Sequence, residues 1–84
     1  MNYWLGVVSR SHDYYVVPVP FTLESSAMNM FRDIPPGYGA KEAIVVQAQS
    51  YGAARKAVRA ALAQELSSYG IKPGKALTGL RKAR

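Results

Sequence analysis

Pro18 and Pro20 stand two residues apart inside an apolar run, YYVVPVPF at residues 14–21, whose aromatic and β-branched residues otherwise suit a β-strand. Along a strand, backbone N–H groups two residues apart face the same neighbour. Proline has no N–H, so one side of this segment cannot accept a further strand. The segment therefore belongs at a sheet edge, and its partner must lie on the other side. That partner is the run NYWLGVVS before it, a strand over residues 3–9. The polar residues Arg10-Ser11-His12-Asp13 form the turn between them. With its neighbour's outer edge blocked, the first strand is interior, and it is apolar on both faces as a doubly covered strand should be.

A third strand is predicted over residues 42–49, centred on Ile44-Val45-Val46. It can pair only with the first, which gives the order 2-1-3. Between the second and third strands, Leu23, Ala27, Met30 and Phe31 have helical spacing, with Thr22, Ser25 or Ser26 as candidate caps. The following IPPGYG must end that short helix. A longer helix follows the third strand. Ser50 is its N-cap, and Gly70 its left-handed C′ residue, with Leu66 and Ile71 closing a Schellman motif and Pro73 just beyond. At ~100° per residue, Tyr51, Ala54, Val58, Ala61, Leu62, Leu66 and Tyr69 make one apolar stripe. Glu65 falls inside this stripe as a misfit, either reaching its edge or meeting a cation.

The expected fold is α+β: a three-stranded antiparallel sheet in the order 2-1-3, a short crossover helix, and one long amphipathic helix packed on one face. Residues 1–72 form the single domain and residues 73–84 a basic, partly ordered tail. A single long helix covers one sheet face only. The other is expected to show Tyr3 and Tyr15, or Trp4 and Tyr14, depending on register, and a bare aromatic face of that kind invites a protein partner or a second copy of the chain.

Charge is divided unevenly along the 84 residues. Residues 1–50 hold three basic groups (Arg10, Arg32, Lys41) against four acids, net −1, whereas residues 51–84 hold eight against the single Glu65, net +7. Arg55, Lys56 and Arg59 crowd one flank of the long helix, and Lys72, Lys75, Arg81, Lys82 and Arg84 follow without an acid among them. Like charges three and four residues apart cost helix stability unless an external anion meets them. These eight residues are the candidate nucleic-acid contacts; Tyr3, Trp4, Tyr14 and Tyr15 are the candidate protein interface.

Other chemistries fit poorly. There is no cysteine and one histidine, so neither a disulfide nor a metal site is expected, and no cofactor is implied. Ser9, Ser11, His12 and Asp13 share one turn, where adjacent side chains diverge, whereas a catalytic triad converges from separate segments. GYGAKEA lacks the spacing and the hydroxyl of a phosphate-binding loop and reads as a turn. With no basic leader and no apolar run of ~18 residues, the chain reads as soluble and cytoplasmic, with no membrane partner.

Two short stretches resemble known families. YWLGVVSRSH, residues 3–12, is similar to the opening of EVE domains, PUA-like barrels associated with reading modified nucleobases. That resemblance implies Ser9 and His12 near a base pocket, in a barrel larger than 84 residues can build. FRDIPPG, residues 31–37, resembles the F-x-D-[LI]-P-G stretch of HicB-type antitoxins, which precedes a strand and a Ser/Thr-capped, Ala-rich helix; residues 43–66 supply both in order, with a longer turn and a basic rather than acidic helix. The leading expectation is a small non-enzymatic module that binds a polyanion, nucleic acid first, through the helix flank and tail. The alternative is an antitoxin-like or phage-inhibitor-like regulator. It would bind an acidic or nucleic-acid-binding protein through the open sheet face, as a homodimer.

Overall fold

The structure, a computed structural model, describes residues 1–80. Its elements run β1 (Asn2–Ser9), β2 (Tyr14–Val16), α1 (Glu24–Arg32), β3 (Ala40–Ala48) and α2 (Tyr51–Ser67). The three strands form one antiparallel sheet in the expected order β2-β1-β3.

β2 is shorter than the run at residues 14–21 suggests. Regular pairing stops at Val16, Val17 N–H still donates to Leu5 (2.9 Å), and the chain rejoins β1 only where Phe21 and Tyr3 exchange two 2.8 Å bonds. Three residues of the second segment, Pro18-Val19-Pro20, thus stand opposite Trp4 alone, and all three are exposed. A bulge of this kind is how a strand accommodates residues that cannot join the ladder.

Strict alternation divides the sheet into two cores. Trp4, Val8, Tyr14, Val16 and Ala48 pack with Ala54, Val58, Leu62 and Leu66 of α2. Leu5, Val7 and Val17 pack on the opposite face with Ala27 of α1, joined by half-buried Tyr15, Phe21, Phe31 and Val45. This corrects the expectation of a bare second face. The position of α1 between β2 and β3 carries it across the second face, and Ala27 is fully buried there. Both faces of β1 are therefore covered, which accounts for its unbroken apolar sequence.

α2 ends as its caps dictate. Ser50 Oγ accepts from Ala53 N–H at 3.2 Å. Gly70 has φ of +69°, Ile71 N–H donates to Leu66 C=O, and Gly70 N–H donates to Ser67 C=O, the two bonds of a Schellman closure. Tyr69 lies past the last turn and is 75 % exposed, so the apolar stripe stops at Leu66. α1 has no side-chain cap: Leu23 occupies the N-cap position, and Thr22, Ser25 and Ser26 do not serve. Glu24 in its first turn and Arg32 in its last complement the helix dipole instead.

The expected tail contributes to the domain through residue 80. Gly74 N–H donates to His12 C=O, Tyr14 N–H to Lys75 C=O, and Leu77 N–H to Tyr14 C=O (2.7–3.0 Å), making one parallel bridge on the outer edge of β2. Lys75 N–H donates to Asp13 Oδ1 at 2.7 Å. The prolines leave Tyr14 free to pair outward because they come four and six residues later. Leu80 then packs against the α1-side core.

Candidate polyanion-binding surface

The basic flank of α2 stands on aromatic supports. The Arg55 guanidinium lies 5.7 Å from the centre of the Tyr51 ring, within the range where a cation is attracted to the ring face. Tyr51 packs in turn on Trp4 at 6.1 Å between centroids, and Trp4 Nε1 donates to Ala48 C=O at 2.9 Å. One turn along the helix, Arg59 Nη1 stands 3.5 Å from the Tyr14 hydroxyl, at the outer limit of a hydrogen bond. Lys56, next to Arg55 in the sequence, is exposed, as are Arg55 and Arg59.

These three cations have no carboxylate within ion-pair distance among the described residues. Asp13 Oδ2 accepts from Ser11 Oγ and its Oδ1 from Lys75 N–H. Glu65, the misfit of the apolar stripe, is exposed at the stripe's edge and meets Glu42 of β3, not a cation. Burial first, then the neighbouring Glu65 carboxyl, push Glu42 above the ordinary glutamate value, with Lys41 opposing.

Tyr14 contacts both α2 and the 74–77 segment. Its hydroxyl faces Arg59, while its backbone holds the segment that carries Lys75. Lys72 and Lys75 are exposed. Arg81, Lys82 and Arg84 lie outside the described residues.

The candidate interface aromatics are placed differently. Trp4 and Tyr14 are each 5 % exposed, beneath α2. Tyr3 and Tyr15 are half-buried, with Tyr15 packed against the core under α1. They therefore form no open aromatic face, because each sheet surface is covered by a helix. In the hairpin turn, Ser9 Oγ and Ser11 Oγ are 3.0 Å apart and Ser11 donates to Asp13 at 3.1 Å; the His12 ring takes part in neither bond. His12 has φ of +67°, the left-handed residue closing a three-residue hairpin loop. No group of three His, Cys, Asp or Glu side chains able to hold a metal occurs among the described residues, and no helix there is long and apolar enough to cross a membrane.

The structure also reveals a concavity that the linear reading passed over. A groove of about 960 Å³ opens beside the β1–β2 turn on the α1 side, between α1, the 34–39 loop and residues 77–80. Gly37 and Gly39, with φ of +104° and +70°, let that loop fold back over it. Arg10, Arg32 and Lys41 all line the groove. No spacing rule connects them, since a turn, a helix end and a strand start bring them together.

Compared with protein-family models, curated proteins and solved structures, the chain matches none.

Proposed function

We propose that the protein is a small non-enzymatic module that binds a polyanion, nucleic acid first, along the flank of α2 and the adjoining tail. The observation carrying this reading is that Arg55, Lys56 and Arg59 are exposed and unpaired with carboxylates among the described residues, while Tyr51 and Tyr14 hold the two guanidinium groups. Cations left without internal partners keep their full charge for an external anion, and aromatic support reduces the side-chain entropy lost on binding. On this reading the exposed Lys72 and Lys75, in the segment hydrogen-bonded to Tyr14, add to the basic surface. A regulator acting through an open sheet face has less support, since α1 and α2 cover both faces.

The test is fluorescence anisotropy with a labelled 20-nucleotide single strand and the matching duplex, at 50 mM salt. Replacing Arg55, Lys56 and Arg59 together by alanine should weaken binding at least about 30-fold, as expected for losing three phosphate contacts, with an unchanged circular dichroism spectrum. Equal binding by the variant and the parent chain would leave the proposed surface without a role.

A further inference from the structure

We infer that the groove beside the hairpin turn is a second binding site, for a small amphipathic anion: an apolar chain or ring carrying an acidic group. Its floor is apolar, formed by Val7, Phe31, Ile34, Leu77 and Leu80. Three cations reach it from three separate elements: Arg10 from the turn, Arg32 from the end of α1, and Lys41 from the start of β3. They are all the basic residues of the first fifty, a part of the chain whose net charge is −1, so a random scatter would not gather them at one concavity. All three are exposed, and none has a carboxylate partner within ion-pair distance among the described residues; Arg32 Nη1 donates to Asn29 Oδ1 at 3.4 Å, a neutral partner that leaves its charge uncompensated. The acid on the rim, Asp13, is already engaged by Ser11 and by the Lys75 backbone.

The occupant follows from this arrangement. Apolar residues in the lining call for a hydrocarbon body, and three cationic residues in the same lining call for a negative head group. A volume of about 960 Å³ lies at the upper end of the range typical of small-molecule sites, ~300–1,000 Å³. The groove lies on the α1 side of the sheet and the flank of α2 on the other, so this site does not depend on the polyanion-binding reading.

Decanoate is a suitable probe, titrated below its micelle concentration and followed by amide shifts in a nitrogen–proton correlation spectrum. The uncharged comparison is 1,2-decanediol. The largest shifts should fall on residues 9–13, 31–41 and 77–80, and the diol should bind at least about 10-fold more weakly. Arg10→Gln, Arg32→Gln and Lys41→Gln should each weaken decanoate about 3-fold, as for solvent-exposed charge pairs, and the triple variant about 10- to 30-fold. The Arg55, Lys56 and Arg59 alanine variant should bind decanoate as the parent chain does. Shifts centred on α2, equal affinity for the diol, or an unaffected triple glutamine variant would each overturn the assignment. So would capture by phosphatidylglycerol vesicles that depends on these three cations in the absence of decanoate binding, since the ligand would then be a membrane surface.

Discussion

Replacing Gly6 by alanine places a methyl group directly beneath α2. A Cβ at this position would stand 2.7 and 2.8 Å from the two Val58 methyls and 3.0 Å from the Ile44 carbonyl oxygen. Carbon atoms in contact normally keep ~3.5–4.0 Å, so the overlap is close to an ångström. Val58 is fully buried on a helix, where a β-branched side chain has essentially one rotamer, and it cannot turn aside. The helix must therefore move off the sheet, loosening Ala54 and Leu62 with it. Overpacking of this kind costs about 1–3 kcal/mol. For a domain of this size a 2 kcal/mol loss lowers Tm by about 8–16 °C. In urea, with a slope near 1 kcal/mol/M, the midpoint should fall by roughly 2 M. A double-mutant cycle with Val58→Ala isolates the cause. Val58→Ala alone removes two buried methyls and costs about 2 kcal/mol. In the double variant the new methyl enters the vacated space, so the combined loss should fall short of the sum by about 1–2 kcal/mol, with residual strain against the Ile44 carbonyl. Wild-type stability for Gly6→Ala, or strict additivity, would refute this packing.

Three further outcomes follow from local geometry. Glu42 is raised by burial and by Glu65, so ionising it works against the fold; this penalty is absent at low pH and sets in as pH rises through the raised value. Glu65→Gln should accordingly raise stability at pH 7–8 by a few tenths of a kcal/mol, about the size of an exposed charge interaction, and the gain should vanish below about pH 4; a gain unchanged by pH would contradict the pairing. His12 is held at φ +67°, so His12→Gly should raise the denaturation midpoint by about 0.5 kcal/mol equivalent and His12→Val should lower it; equal stability of the two would show that the turn is not left-handed there. Asp13→Ala removes the acceptor for Lys75 N–H at a cost of about 1–2 kcal/mol, and hydrogen exchange at Lys75 and Leu77 should accelerate while Leu5 and Val7 stay protected, whereas unchanged protection at Leu77 would mean the segment docks without this acid.

The features legible in the sequence were those with a local cause. The order β2-β1-β3 agrees with the expectation drawn from Pro18 and Pro20, although both prolines lie beyond the end of β2 at Val16 and its outer edge pairs with residues 74–77 at Tyr14. Ser50 and Gly70 bounded α2 because capping is a matter of one side chain and one backbone angle. What escaped depends on long-range placement. α1 has little apolar character of its own, and only its route from β2 to β3 lays Ala27 and Phe31 on the second face. The 73–80 segment, rich in glycine and lysine, has the composition of a tail; it is ordered by the outward-facing backbone of Tyr14 and by Asp13, neither of which has a periodic signature.

The candidate site divides the same way. Arg55, Lys56 and Arg59 are exposed residues of α2, and their neighbourhood follows from helical spacing alone. The Tyr51 support of Arg55 is an i,i+4 pair and lies within the reach of helical spacing, whereas Tyr14 is 45 residues from Arg59 and has no such signal. The expectation that Trp4 and Tyr14 face a partner rests on one sheet face being bare; both are core residues beneath α2 whose polar atoms find partners, Ala48 C=O for the indole and Arg59 for the phenol. The groove cations were invisible for a related reason: Arg10, Arg32 and Lys41 belong to three elements and meet only when the sheet is assembled.

The claim on which the functional account rests is that the flank of α2 releases counterions from a polyanion, and the salt dependence of oligonucleotide binding measures this most directly. With about four cations engaged, affinity should fall about 100-fold between 50 and 200 mM salt, and removing Arg55, Lys56 and Arg59 should flatten the logarithmic slope by nearly three. A slope near zero for the parent chain, or one that the triple alanine variant leaves intact, would contradict it.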